Sequence, residues 1–426
     1  MHRNRRSALG RALTMGGVLA VASTVAACDS FVDVENPSQL EAEAIDPARD
    51  AALLSLSAYQ SFIAAYGDLA VYSAWFMNEA RVGDTFPTRN EFGRRDLSPL
   101  SNGDLGSRWG AIHSTLAFSE NTIRKIEAGG ENIDLARVYF TSGYVMLLQA
   151  ELFCIPTILV SEEEAGGPLS TVEALDVAIN RLTRANSIAK ALTGTEASDI
   201  ANASMVGIAR AHLQAGRKAQ ASAAAAQVPA NFVYNLRHLD DPSNRGRLGN
   251  DIWSFSEARI SLVVPPEYRA MADAGDTRIA YTDMGRPAQD GELNFFRQAK
   301  ITGWGSPDRL ASGLEARYIK VEADQNPAEM LAFINERRAV GKQDPINTQD
   351  MATLKKELME QRVRDFWLEI KKQGDWVRNP ESVPYILPPG DTYYKGGLGP
   401  VRDQTCWPAP DTERQRNPKW PGYSTD

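Results

Sequence analysis

The chain has 426 residues, 43% of them hydrophobic and 23% charged, with a formal net charge of −8. That apolar share supports packed cores, and the length exceeds a single compact one, so several layers or a repeat array are expected. The acidic balance argues against nucleic acid as a partner and against adhesion to anionic lipid through charge.

The first element is a leader. Arg3, Arg5, Arg6 and Arg11 precede the first acid, Asp29, and residues 12–27 are apolar or small throughout. The run is shorter than the ~20 residues a bilayer needs, and its basic start and small-residue end describe a secretory signal over 1–27. Cys28 follows directly, and Val25-Ala26-Ala27-Cys28 resembles the lipobox of bacterial lipoproteins. That resemblance implies a diacylglycerol on the Cys28 sulfur, cleavage before it, and a polar tether over 28–46. Without residues 1–27 the net charge becomes −12, because four arginines leave and no acid does. Membrane contact then rests on the lipid, and stable anchoring takes more than one acyl chain.

Helices follow. Residues 47–80 carry Leu53, Leu56, Tyr59, Phe62, Ile63 and Tyr66 at spacings of three and four, which predicts one helical face. Residues 108–130 end at Gly129-Gly130, and 132–156 end near Pro156, both helix stops. The helix over 170–192 opens on a capping box, Ser170 with Glu173. Residues 198–229 read as two helices turning at Gly216, with Ile208, Ala209, His212, Ala221 and Ala225 at offsets suited to a tetratricopeptide-like hairpin. Residues 230–326 break the pattern with DPSN, PPEY and GWGSPD, which predicts a loop-rich insert with short helices and a small strand pair. Such an insert on a helical scaffold points to function. Helices return over 327–341 and 348–373, the second with a stripe of Leu354, Leu358, Val363, Phe366, Trp367 and Ile370. The tail, 379–426, is rich in proline, glycine and tyrosine.

Motifs of chemistry are sparse. Cys154 and Cys406 remain after Cys28; they are free to pair in an exported protein, but two cysteines so far apart make no framework. There is no HExxH, GxSxG or P-loop pattern, and the four histidines are scattered, so no metal, cofactor or catalytic residue is assigned.

Five stretches in order carry a family resemblance. INERRAVG (334–341), QRVRDFWLEIKKQGDWVR (361–378) and WPAPDTERQRNP (407–418) follow ARVYFTSGYVMLLQAELFCIP and GIARAHLQAGRKAQASAAAAQV. Together they resemble the SusD/RagB family of outer-membrane nutrient-binding lipoproteins. Gln361, Ile370 and Lys372 depart from the family's usual glutamate, glycine and arginine, while Arg362, Glu369, Asp375 and Arg378 keep their places. The charges on this helix read as surface or semi-buried pairs. The resemblance implies a mainly α fold, with tetratricopeptide-like hairpins forming a right-handed SusD-like scaffold (47–229 and 327–378) around the insert. It also implies a role: capture of an oligosaccharide, or less often a peptide, at the cell surface, and delivery to a SusC-like TonB-dependent transporter.

Sugar binding needs aromatic faces for the pyranose C–H patch and polar groups for its hydroxyls. Trp304, between Gly303 and Gly305, is the first stacking candidate, with Trp253 and Tyr281 in the same insert. Trp75, Asn78, Arg81 and Asp84 form a second group, roughly where the family often places ligand contacts. Arg89, Arg94 and Arg95 are suited to an acidic ligand. Two rival readings stand beside capture. One is a periplasm-facing tetratricopeptide adaptor. The other is an extracellular glycosidase, which needs two carboxylates across a cleft.

Overall fold

The computed structural model of the chain describes residues 46–159 and 164–422. The leader 1–27, Cys28 and the tether to residue 45 lie outside the described residues.

Helix α1 (Pro47–Phe76) opens the fold. Leu54, Ala58, Phe62, Ala65, Leu69 and Tyr72 bury one stripe at helical spacing. That stripe is offset from the expected one: Leu53 and Leu56 are 53% and 51% exposed, and the face turned inward passes through Leu54 and Ser55 instead. After α2 (Pro87–Arg94) comes α3 (Gly103–Ile126), started by Asn102, whose side chain accepts from the Leu105 N–H at 2.8 Å. Helix α4 (Ile133–Leu152) is buried from Leu135 to Leu152 and forms the centre of the bundle.

Helices α5 (Thr171–Ala191) and α6 (Thr195–Gln214) pack against α4 and each other at short range. Leu182 of α5 requires it: a Cβ on Gly143 would lie 2.6 Å from Leu182 Cγ, and one on Gly207 2.7 Å from its Cδ1. The capping box forms as expected, with the Ser170 N–H donating to Glu173 at 2.8 Å and the Glu173 N–H to Ser170 Oγ at 3.3 Å. Gly216, with φ of +74°, turns α6 into α7 (Lys218–Ala225), and Ala209, Ala221 and Ala225 are buried where the hairpin closes.

Between α4 and α5, strands β2 (Thr157–Leu159) and β3 (Ala165–Pro168) pair antiparallel. The insert is more structured than its composition suggests. Strand β4 (Val233–Leu236) pairs antiparallel with β8 (Asp308–Ser312), and β6 (Tyr281–Pro287) with β7 (Asn294–Gln298). Strand β5 (Leu262–Val263) pairs with β1 (Arg81–Val82), which ties the insert to the end of α1. The short helices are α8 (Arg245–Leu248), α9 (Asp251–Trp253) with a π turn over Ser254–Ala258, and α10 (Pro266–Asp273). Residues 313–324, read as insert, form α11 (Gly313–Asp324), which packs on α7 and extends the hairpin stack. A second core joins α11 to α12 (Pro327–Val340) and α13 (Met351–Asp365) through Tyr318, Phe333, Ile334, Leu358 and Phe366.

The long helix expected over 348–373 is broken. It ends at Asp365, and α14 (Lys372–Arg378) starts afresh. Between them Leu368 and Ile370 adopt φ of 62° and 52°, left-handed values that carry a cost of about 1–2 kcal/mol each for a side-chain-bearing residue. The surroundings hold this bend. Arg210 Nη2 donates to the Ile370 carbonyl at 2.6 Å, and the Trp367 indole N–H donates to the Glu79 carbonyl at 2.9 Å. The charges here form buried and half-buried ion pairs, with none left on the open surface. Arg362 Nε meets Asp375 at 2.6 Å, Arg378 bridges Asp375 and Glu322, and Glu369 takes Lys300 at 2.6 Å and Arg309 at 2.8 Å.

In the tail, apart from α15 (Asp411–Arg416), the chain is largely irregular yet anchored. Trp407 is fully buried among Phe92 and Phe153, at ring distances of 5.0 and 5.3 Å in edge-on geometry. Beside it Cys154 and Cys406 form a disulfide, which answers the pairing question that the sequence leaves open.

Candidate functional site

A cleft of about 700 Å³ opens between α1, α3 and the insert, within the size range of small-ligand sites. Helix α1 lines it with Gln60, Ser61, Ala64, Asp68 and Tyr72, one residue per turn or so. Helix α3 supplies Asp104, Arg108, Ala111, Ser114, Thr115 and Phe118, again at spacings of three and four. The insert closes the third side with Gly246 and Arg247 from α8, Asp251 from α9, and Phe255 and Arg259 from the π turn and its end.

The floor is a network of ion pairs braced by aromatic rings. Arg108 Nε lies 2.5 Å from Asp68 and its Nη1 3.1 Å from Asp104, while its guanidinium sits 4.1 Å from the Tyr72 ring centre. The Tyr72 hydroxyl donates to Asp104 at 2.7 Å. Burial pushes the Asp104 carboxyl up, but the hydrogen bonds from Thr88 and Tyr72 and the Arg108 charge outweigh it and hold the group below its usual range. Asp68 goes the other way, because burial outweighs Arg108. Arg89 pairs with Asp84 at 2.7 Å and lies over the Phe86 and Phe255 rings. Asp251 differs from these groups. It fits where it does because residue 67 is glycine, whose added Cβ would lie 3.2 Å from Asp251 Oδ2. Burial, then the charge of Asp68, push its carboxyl up to about 7.

No protein-family model matches the sequence, and no curated protein matches it. Solved structures do. A SusD superfamily protein from Parabacteroides distasonis superposes with a TM-score of 0.65 at 15% identity, over 89% of this chain and all of that one. A SusD-like carbohydrate binding protein from Bacteroides vulgatus gives a TM-score of 0.70 at 14% identity, covering 88% and 97%. A laminarin binding SusD-like protein gives 0.60 at 13%, covering 86% and 99%. The fold is that of the SusD superfamily.

On this SusD-like fold the cleft lining contains none of the seven residues expected to contact a sugar, Trp304, Trp253, Tyr281, Trp75, Asn78, Arg81 and Asp84. Trp75 is 1% exposed and packs edge-on against Tyr72 and Phe255 at 4.9 and 5.4 Å, so it offers no face to a sugar and its expected ligand contact gives way to core packing. Asn78, 3% exposed, takes a left-handed turn and donates to the Tyr385 carbonyl; it too is structural. Asp84, 1% exposed, holds Arg89 in place. Arg81 stacks over Tyr394 at 4.7 Å. Tyr281 donates to Asp273 at 2.7 Å, and Trp253 lies under Arg297. Trp304 is half-buried. Its ring fills the hollow left by Gly249, where a Cβ would lie 2.6 Å from Cε3, and Arg245 covers it at 5.5 Å. It thereby seats α8, whose Gly246 and Arg247 reach the cleft.

Of the arginines expected to suit an acidic ligand, Arg89 lines the cleft and Arg94 and Arg95 do not. Arg108, Asp251 and Phe118 also line the cleft, and none of them stands in a recognisable motif of the sequence. One signal was present: Asp68 with Tyr72 and Asp104 with Arg108 are polar i,i+4 pairs on helices otherwise turned to the core.

The Asp251 shift has a testable consequence. A carboxyl raised above its unfolded value favours folding at low pH, and that contribution is lost as pH rises from about 4 through about 7. Asp251→Asn removes the titrating group. Its melting temperature, measured against wild type, should gain more at pH 8 than at pH 5; an equal gain at both contradicts the assignment.

Proposed function

We propose that the protein is a lipid-anchored outer-membrane lipoprotein that captures an oligosaccharide in the cleft between α1, α3 and the insert and passes it to a TonB-dependent transporter. The observation that carries this reading is the cleft itself, on a fold shared with proteins named as carbohydrate and laminarin binders. Its lining mixes hydroxyl partners (Gln60, Ser61, Ser114, Asp251) with the apolar surfaces of Ala64, Ala111 and Phe118, the two kinds of group that a sugar ring needs. The floor is held by the Arg108 and Arg89 ion pairs, so its charged groups are oriented before a ligand arrives, which lowers the ordering cost of binding. Among the described residues no helix is long and apolar enough to cross a membrane. The anchor in this reading is the lipid on Cys28, and Cys28→Ser should abolish lipid labelling and leave the precursor uncleaved.

The test of capture is a glycan array probed with purified residues 29–426. One or more oligosaccharides should bind and be recovered intact, and detergent pull-down from native cells should bring a large outer-membrane barrel with the protein. A clean array, or a pull-down without such a partner, counts against the corresponding half of the proposal.

Hydrolysis is the second reading, and Asp251 favours it, because a carboxyl raised to about 7 is poised as a general acid. Its weakness is the missing partner: Asp68 and Asp104 are both engaged by Arg108. Appearance of new reducing ends on prolonged incubation with a bound glycan would favour it over capture.

A further inference from the structure

We propose that the oligosaccharide taken by this cleft is acidic, with carboxylate or sulfate groups bound by Arg247 and Arg259. This rests on the capture reading and narrows it to a ligand class.

The argument is an inventory of charge. Four cations line the cleft. Arg89 is neutralised by Asp84, and Arg108 by Asp68 and Asp104. Arg247 and Arg259 are exposed, stand on the same wall, and make no ion pair among the described residues. Exposed arginines are common on proteins. These two stand out because every other cation in the cleft is already paired, and because one of them is held in position. The Arg259 guanidinium lies 4.3 Å from the centre of the Phe255 ring, and Phe255 is itself buried against Trp75 and Tyr72. A planar fork fixed on an aromatic face loses little freedom when it takes a carboxylate or sulfate in two parallel hydrogen bonds.

The facing acid does not cancel them. Asp251 is the one carboxylate of the lining with no ion pair among the described residues; burial and then Asp68 oppose its charge, and the nearby charges of His238 and Arg259 offset them only in part. It is thus free to donate to or accept from a ligand hydroxyl. The protein as a whole is acidic, so a polyanion meets general repulsion on approach. Two unneutralised arginines at one cleft mouth are the local exception to that field.

The experiment is calorimetry on residues 29–426 with three probes: an oligogalacturonate, a sulfated heparin-derived oligosaccharide, and a neutral laminari-oligosaccharide. Wild type should bind at least one acidic probe at least tenfold tighter than the neutral one. The double variant Arg247→Gln/Arg259→Gln should weaken that binding about 10- to 100-fold, the range for loss of charge-assisted hydrogen bonds. Both positions are exposed, so its circular dichroism should match wild type. Two outcomes overturn the inference differently. If the neutral glycan binds as well as or better than the acidic probes, and the double variant binds it equally, the acidic class is wrong and capture stands. If no glycan of either class binds, capture fails and the inference fails with it.

Discussion

Replacing Cys154 and Cys406 together by serine will lower the unfolding free energy by about 5 kcal/mol. The bridge joins positions 252 residues apart, from the end of α4 to the tail. Cross-linking so long a loop removes much of the freedom of the unfolded chain, and the chain-entropy relation gives about 4.7 kcal/mol for a loop of only 100 residues. The effect should be visible as a lower guanidinium midpoint with a steeper slope, because the unfolded chain without the bridge is less compact and exposes more surface. Reduction of the wild-type bridge should reproduce it. The folded variant should keep its near-ultraviolet spectrum, because Trp407 remains wedged between Phe92 and Phe153. A loss under about 1 kcal/mol would show that the tail is held by that packing alone.

Arg210→Met should destabilise the protein by about 3–5 kcal/mol, the usual result of leaving a buried charge without its partner. Arg210 is buried in α6 between two acids that are themselves buried. Its Nε and Nη2 grip Glu151 of α4 as a fork, and Nη1 lies 3.7 Å from Glu315 of α11. The same Nη2 donates to the Ile370 carbonyl in the bend between α13 and α14. One side chain therefore joins the hairpin stack to the C-terminal helices. Glu315 keeps a second cation, Lys371 at 2.8 Å, whose ammonium burial pushes down to about 8. Glu151 has no such reserve among the described residues. Adding Glu151→Gln to Arg210→Met should thus recover part of the loss in denaturant unfolding. If the double variant is less stable than Arg210→Met alone, the uncompensated carboxylate is not the cause.

The helical scaffold was legible because its signals are local. The capping box at Ser170, the Gly216 turn and the apolar stripes depend on neighbours within a turn or two. The break after Asp365 was not, because its stripe continues through Phe366, Trp367 and Ile370, all buried, while the backbone leaves the helix. A trace of it was nonetheless present in the sequence. Ile370 stands where the SusD/RagB resemblance expects glycine, and the structure puts that residue at positive φ. The site was the least legible part. Aromatics in loops were the natural choice for sugar stacking, yet Trp75 is core and Trp304 seats α8. The cleft is made by three segments whose meeting depends on long-range contacts, such as the pairing of β1 with β5 and the fit of Asp251 against Gly67. No spacing within one segment reports such contacts.

The oligosaccharide site proposed above is the cleft between α1, α3 and the insert. Its most direct test is a calorimetric titration of an array-positive glycan into wild type and Ala111→Trp. Ala111 lines the cleft from an exposed position on α3, so an indole there fills the space without entering the core. Binding should fall by more than about tenfold, consistent with loss of a well-filled pocket, while the melting temperature stays within a few degrees of wild type. Equal affinity in the two proteins would place the glycan elsewhere on the fold and overturn the proposed site.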